Sequence, residues 1–176
     1  MIQQNISLEN LAVIIIHMQD NFLGIHKHLI PNHIAIIRFC RKNNIPVVIS
    51  ETRSGRYPMR TTDLILQEIN KIPEQNLFWN ADCKMDTLSN PEVPLFLENK
   101  KRNTILLTGV RAGDCVWATG KTSIEKYKYH LVTSADLMSG YSTHENSPCK
   151  DATWFKENGT YLENYNQIIQ MLIGEF

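Results

Sequence analysis

The sequence predicts a doubly wound α/β domain, a mostly parallel sheet covered by helices on both faces, and three observations predict it. Short apolar runs alternate with segments of helical spacing along the chain. The first run, Leu11 to Ile16, is dominated by β-branched residues with no polar residue between them, which marks a strand buried on both faces. The whole length, 176 residues, suits one domain spanning residues 1–176, and no repeat, linker or low-complexity segment interrupts it.

The elements follow in order. After the Leu11–Ile16 strand, Ile30, Ile34, Ile37 and Cys40 fall at helical spacing in a segment from Ile30 to Asn44 that ends in Asn-Asn before Pro46. Pro46 to Ser50 is the second strand, followed by a polar loop from Arg53 to Arg60 and a helix from Thr62 to Lys71. Leu77 to Trp79 is a short third strand, and a helix around Pro94 to Lys101 leads into the strand Thr104 to Gly109. A helix from Asp114 to Lys128 and a fifth strand, His130 to Thr133, come next. Met138 to Asp151 is irregular, and Leu162, Ile168, Ile169 and Leu172 predict a final amphipathic helix to Ile173. Strands alternating with helices imply right-handed crossovers and a parallel sheet.

Charge narrows the function. Lys+Arg and Asp+Glu each number 18, for a formal charge of zero, and no long basic block stands out, so nucleic acid is not an expected partner. The longest apolar run is far short of the roughly 20 residues that span a bilayer, and the first residues lack the pattern of a signal peptide. No membrane association and a cytoplasmic location are therefore expected. Cys40, Cys83, Cys115 and Cys149 fit neither a zinc motif nor a dense disulfide framework, and reduced thiols are expected.

Ligands of such sheets sit beyond the carboxyl ends of the strands. Those positions hold His17-Met18-Gln19-Asp20-Asn21-Phe22 after the first strand, Asn80-Ala81-Asp82-Cys83-Lys84 after the third, and Gly109-Val110-Arg111-Ala112-Gly113-Asp114-Cys115-Val116 after the Thr104 strand. Cys115 falls where a helix begins, and unpaired N–H groups there favour a thiolate, which makes Cys115 a candidate nucleophile with a depressed pKa. A small buried packing residue is the alternative.

This pattern resembles the isochorismatase-like cysteine hydrolases, the superfamily of nicotinamidases, N-carbamoylsarcosine amidases, ureidoacrylate amidohydrolases and isochorismatases, over nearly the whole chain. The matching elements are Ile16 to Phe22 against I-D-x-Q-x-D-F, Lys84 beyond the third strand, Thr108 to Val116 against T-G-x-x-x-x-x-C-V, Thr119, and Ser134-Ala135-Asp136. The resemblance implies a three-layer α/β/α fold with about six strands, a Cys115 nucleophile, Lys84 as charge stabiliser, and an oxyanion site made by the N–H groups of Arg111 and Cys115. It also implies a cis peptide between Val110 and Arg111, no cofactor, a small amide-like substrate and a homo-oligomer, dimer or larger.

The match departs at His17, where the family has its catalytic Asp. Three readings follow: His17 is the general base of a Cys–His pair, Asp20 or Asp82 supplies the missing carboxylate, or the site has lost its chemistry and the fold serves binding or assembly. The metal-binding histidines of family nicotinamidases have no counterpart in Ser50 to Tyr57, so no metal is expected, and His26 and His28 read as solvated. Arg53 and Arg56 stand as candidates for the pocket mouth, and Phe22, Trp79 and Trp117 as candidates for its wall, the two tryptophans also fitting a core role. Cys149, with His144 before it, is a rival nucleophile without an oxyanion loop, and a redox pairing of Cys83 with Cys115 is a further alternative. The expected reaction is hydrolysis of a small amide or related C–N bond through a Cys115 thioester. The competing expectation is a catalytically silent binding protein.

Overall fold

A computed structural model describes residues 6–52, 60–81, 84–141 and 149–175. The strands β1 (Leu11–Ile16), β2 (Val47–Ser50), β3 (Leu77–Asn80), β4 (Thr104–Val110), β5 (His130–Ser134), β6 (Met138–Ser139) and β7 (Thr160–Leu162) form one sheet. Its order is β3-β2-β1-β4-β5-β7, with β6 beside β4, and every strand pair is parallel. The helices are α1 (Asp20–Leu23), α2 (Ile30–Lys42), α3 (Asp63–Ile69), α4 (Glu92–Asn99), α5 (Trp117–Glu125), α6 (Thr153–Asn158) and α7 (Tyr165–Ile173).

Strand β1 shows why the sequence builds three layers. All six of its residues are buried. Side chains alternate across a strand, so Leu11, Val13 and Ile15 join a core with α2, α3 and α7 on one face. Ala12, Ile14 and Ile16 join a second core with α4 and α6 on the other. A run that alternated apolar with polar residues would leave one of these cores empty.

The structure adds what the sequence did not signal. Strand β6 has two residues and β7 has three, too short for any periodicity; they are specified by pairing with Gly109 and Val110 of β4 and with Val132 to Ser134 of β5. The final helix was expected from Leu162, but Leu162 belongs to β7. The helix starts at Tyr165, where the Asn164 side chain accepts the Gln167 N–H at 3.1 Å, as an N-cap does. The helix expected from Asp114 begins earlier, as a π-helical turn Ala112–Val116 that runs into α5. Of the polar loop expected from Arg53 to Arg60, only Arg60 lies within the described residues.

β1 lies between β2 and β4, so the chain leaves its carboxyl end in one direction and later returns on the other side. This is the switch point at which doubly wound sheets open a crevice. Gly109 pairs with Ile16 there. Its φ is +127°, and a Cβ at this position would lie 2.1 Å from the Ile16 carbonyl oxygen. Only glycine lets the two strands approach so closely.

Candidate active site

Two residues beside this close approach have left-handed backbones. His17 leaves β1 with φ +51° and Arg111 leaves β4 with φ +62°. Neither is glycine, and each conformation costs about 1 kcal/mol or more. Strain of this kind persists where surrounding structure enforces it. For His17 the enforcement includes its N–H bond to the Ser50 carbonyl of β2, at 3.0 Å.

The His17 ring is buried, at 2% exposure, and its orientation is set by Gln19. The Gln19 amide is held from both ends by one residue: the Thr52 N–H donates to Oε1 at 2.9 Å, and Nε2 donates to the Thr52 carbonyl at 3.2 Å. Oε1 is therefore the atom that faces Nδ1 of His17, at 3.3 Å, and as it can only accept, Nδ1 carries the proton. Nε2 keeps the lone pair, with the Thr52 hydroxyl 3.4 Å from it and from Nδ1. Burial lowers the His17 pKa below the usual 6.5, the Gln19 bond opposes this, and the positive charge of Arg111 lowers it further. The imidazole is neutral and basic at Nε2.

Phe22 and Arg111 complete this wall. The Phe22 ring lies 5.1 Å from the His17 ring, and the Arg111 guanidinium stands over Phe22 at 5.2 Å. Arg111 acts on the thiol as well. Burial and the Asp114 carboxylate push the Cys115 pKa above its usual 9.0, whereas the Arg111 charge and the residue's own backbone N–H pull it down. The depressed pKa expected of Cys115 is thus corrected: the π turn sinks the sulfur beside Asp114, and burial outweighs the favourable donors. At 8% exposure the residue is nevertheless more open than Cys40 or Cys149, each 1%.

Helix α5, which follows Cys115, is fastened to the neighbouring strands by a polar chain. The Thr119 hydroxyl accepts the Thr87 N–H at 3.0 Å; the Thr87 hydroxyl donates to the Ser50 hydroxyl at 3.0 Å, which also accepts Asn80 Nδ2 at 3.2 Å. The Ser134-Ala135-Asp136 segment is likewise a fastening. Asp136 accepts bonds from Ser134 at 2.6 Å, the Tyr165 N–H at 2.9 Å and Asn32 at 3.2 Å, joining α2 and α7 to the end of β5.

The remaining expected residues stand as follows. No cis peptide occurs between Val110 and Arg111; the positive φ of Arg111 turns the chain there with trans peptides. Lys84 is exposed on the segment after β3, and Asp20 is exposed at the start of α1. Trp79 does not sit beside the thiol: it is 40% exposed on the edge strand β3, three strand spacings from β4, or about 14 Å. Trp117 packs edge-on against Trp154 at 6.2 Å, with the Lys121 ammonium over it at 5.4 Å. His26 is not a solvated loop residue, because it is half-buried on a short 3-10 helix, Gly24–Leu29, with Nε2 facing Gly140 beside Arg111. Among the described residues no group of three or more His, Cys, Asp or Glu is placed to hold a metal. Cys149 is buried, donates to the Asp151 carbonyl at 3.3 Å, and is pushed up to about 11 by burial, Asp151 and Asp114. Arg53, Arg56, Asp82, Cys83 and His144 lie outside the described residues.

Two contributors escaped the sequence reading. Gln19 stood in the I-D-x-Q-x-D-F block as a matched letter, and its link to Thr52 depends on the fold. Asp114, next to the cysteine, carried no signal beyond adjacency.

No family model matches the sequence, and no curated protein matches it. Solved structures do. MAR1 ribonuclease from Caenorhabditis elegans superposes with a TM-score of 0.77 at 20% identity, over 97% of this chain and 84% of that one. YcaC from Pseudomonas aeruginosa, solved with hexane-2,5-diol and covalent acrylamide, gives 0.78 at 13% identity, over 98% and 85%. The chain has the isochorismatase-like fold. N-carbamoylsarcosine amidase from Thermoplasma acidophilum shares it at a TM-score of 0.70 and 15% identity, over 88% of this chain and 96% of that one. Identities at this level speak for the isochorismatase-like architecture alone.

Proposed function

We propose that the protein is an isochorismatase-like cysteine hydrolase of small amides or related C–N bonds, with Cys115 as nucleophile and His17 as proton acceptor. The observation that carries this reading is the Thr52–Gln19–His17 relay, which leaves Nε2 of a neutral imidazole as the basic atom. Arg111, whose charge bears on both His17 and Cys115, links the two groups.

In the proposed reaction His17 Nε2 takes the thiol proton as the sulfur bonds to the substrate carbonyl carbon. The oxyanion is held by the N–H groups of Arg111 and Cys115. The C–N bond breaks as the imidazolium returns its proton to the departing nitrogen, leaving a Cys115 thioester. Water, deprotonated by His17, then attacks the thioester and releases the acid and the thiol. Arg111 supplies a positive charge beside the developing anion, and Lys84 is kept as a second cation by resemblance. Phe22 forms the apolar wall. The assembly is proposed to be a homo-oligomer, which light scattering on the purified chain tests.

The covalent acrylamide in the YcaC structure supports the reading by analogy, as a small amide-bearing electrophile held in the same fold. The test is a screen of small amides with the wild-type chain and Cys115→Ala, with Cys115 alkylation by iodoacetamide measured by mass spectrometry. Turnover absent from Cys115→Ala, and labelling of Cys115 ahead of Cys40 and Cys149, is the expected result. A second reading has one observation in its favour, the upward push on the Cys115 pKa from burial and Asp114. It is a silent homologue that binds a small ligand without turnover, and amidase activity appearing only in His17→Asp would establish it.

A further inference from the structure

A second feature lies at the opposite end of the sheet, independent of the thiol. The turns before β4 and β5 face each other across a cavity of about 410 Å³, within the roughly 300–1,000 Å³ range of small-molecule sites. One wall is aromatic. The rings of Tyr127 and Tyr129 stack 5.4 Å apart and 14° from parallel. The Lys126 ammonium covers Tyr127 at 5.0 Å, so Tyr129 carries the pair's outer face. The other wall is cationic, formed by Lys101 and Arg102, with Glu98 beside them.

This cationic wall is built rather than incidental. Arg102 is anchored by one terminal nitrogen, which donates to the Leu8 carbonyl at 3.0 Å and to the Glu9 carbonyl, whereas its Nε is buried without a partner among the described residues. Lys101 stands just past the end of α4 with φ +55°, a position that usually goes to glycine or asparagine. Lys128, past α5, has φ +58° too, but its ammonium caps the Glu125 carbonyl at 2.7 Å, which accounts for it. The Lys101 side chain makes no such bond among the described residues. The backbone of Lys101 closes α4, its N–H bonding the Glu98 carbonyl at 2.8 Å and the Arg102 N–H the Leu97 carbonyl at 3.0 Å, and the exposed side chain in the cavity wall leaves its charge available to a ligand. The balanced total charge of the chain does not bear on this, because Lys100, Lys101, Arg102, Lys126 and Lys128 are gathered into two facing turns.

We propose that this cavity binds a flat aromatic anion of the nucleoside monophosphate class, its base extending the tyrosine stack and its phosphate held by Lys101 and Arg102. Glu98 is the acceptor for an amino group of the base or a ribose hydroxyl. Isothermal titration of the full chain with AMP, adenosine and inorganic phosphate tests it, with Lys101→Glu and Tyr129→Leu as variants and thermal melts to establish folding. AMP is expected to bind saturably, with adenosine and phosphate each weaker by about tenfold or more, and each variant weakening AMP by about tenfold. Three results overturn the proposal: no saturation with millimolar AMP, phosphate binding as tightly as AMP, or AMP affinity unchanged in either folded variant. Should Tyr129→Leu fail to fold, the exposed Lys101→Glu decides alone.

Discussion

Replacing Gly109 with alanine should damage the fold and the site together. The added Cβ would lie 2.1 Å from the Ile16 carbonyl oxygen and 2.8 Å from both the carbon and the nitrogen of the same residue, all backbone atoms with no rotamer to give way. Contacts under 3.0 Å are essentially never seen, so β1 and β4 must part by about 0.9 Å at the residue before His17. Overpacking of this kind costs about 1–3 kcal/mol. The +127° backbone angle, strained for any side chain, adds a further ~1–3 kcal/mol. Together, about 2–6 kcal/mol is a large share of an ordinary stability of about 5–15 kcal/mol. For a chain of this size each kcal/mol moves the melting temperature by about 2–4 °C, so a fall of about 4–24 °C is expected. Urea unfolding followed by circular dichroism and a thermal scan both measure it. A Gly109→Ala protein with wild-type stability, within about 0.5 kcal/mol, would refute the claim that this contact holds the switch point closed.

Three further outcomes follow from the site and its surroundings. His33 is fully buried, its Nδ1 donates to the Leu29 carbonyl at 2.9 Å, its Nε2 has no partner among the described residues, and burial lowers its pKa from 6.5 to about 4. Because the folded pKa is depressed, its contribution is present above pH 6.5 and is lost as pH falls toward 4, about 3 kcal/mol across that window, and His33→Leu should flatten the acid side of the stability profile measured by urea titration. Arg111→Met removes the cation that lowers the pKa of both His17 and Cys115. The acid limb of activity and the pH midpoint of Cys115 alkylation should both move upward, and profiles superimposable on wild type would detach Arg111 from the site. Gln19→Leu releases the proton on Nδ1 from its acceptor, so kcat should fall with little change in KM, and Gln19→Glu, which keeps an acceptor, should restore part of it.

Most of the sheet was legible in the chain itself. Leu11 to Ile16 and Thr104 to Gly109 are long enough, and apolar enough, to be strands before any partner is known. Met138–Ser139 and Thr160–Leu162 are not; they are strands only because β4 and β5 offer them an edge. The same division runs through the site. Cys115 and His17 stood out because their residue types carry chemistry at strand ends. The left-handed turn at Arg111, the π turn that sinks the thiol beside Asp114 and the clamp on Gln19 depend on contacts between segments far apart in the chain, which local spacing does not encode. Trp79 illustrates the converse. Its size suggested a pocket wall or core, yet its strand ends up at the rim of the sheet, where large side chains face water.

The hold of Thr52 on Gln19 ties two tasks to one lever. The N–H and carbonyl of one residue set the tilt of the amide, the amide sets which nitrogen of the imidazole holds hydrogen, and that choice sets where a lone pair is aimed. Whatever tugs on Thr52, a docked molecule included, therefore swings the proton acceptor with it, so that recognition and reactivity at this crevice would rise or fall as one.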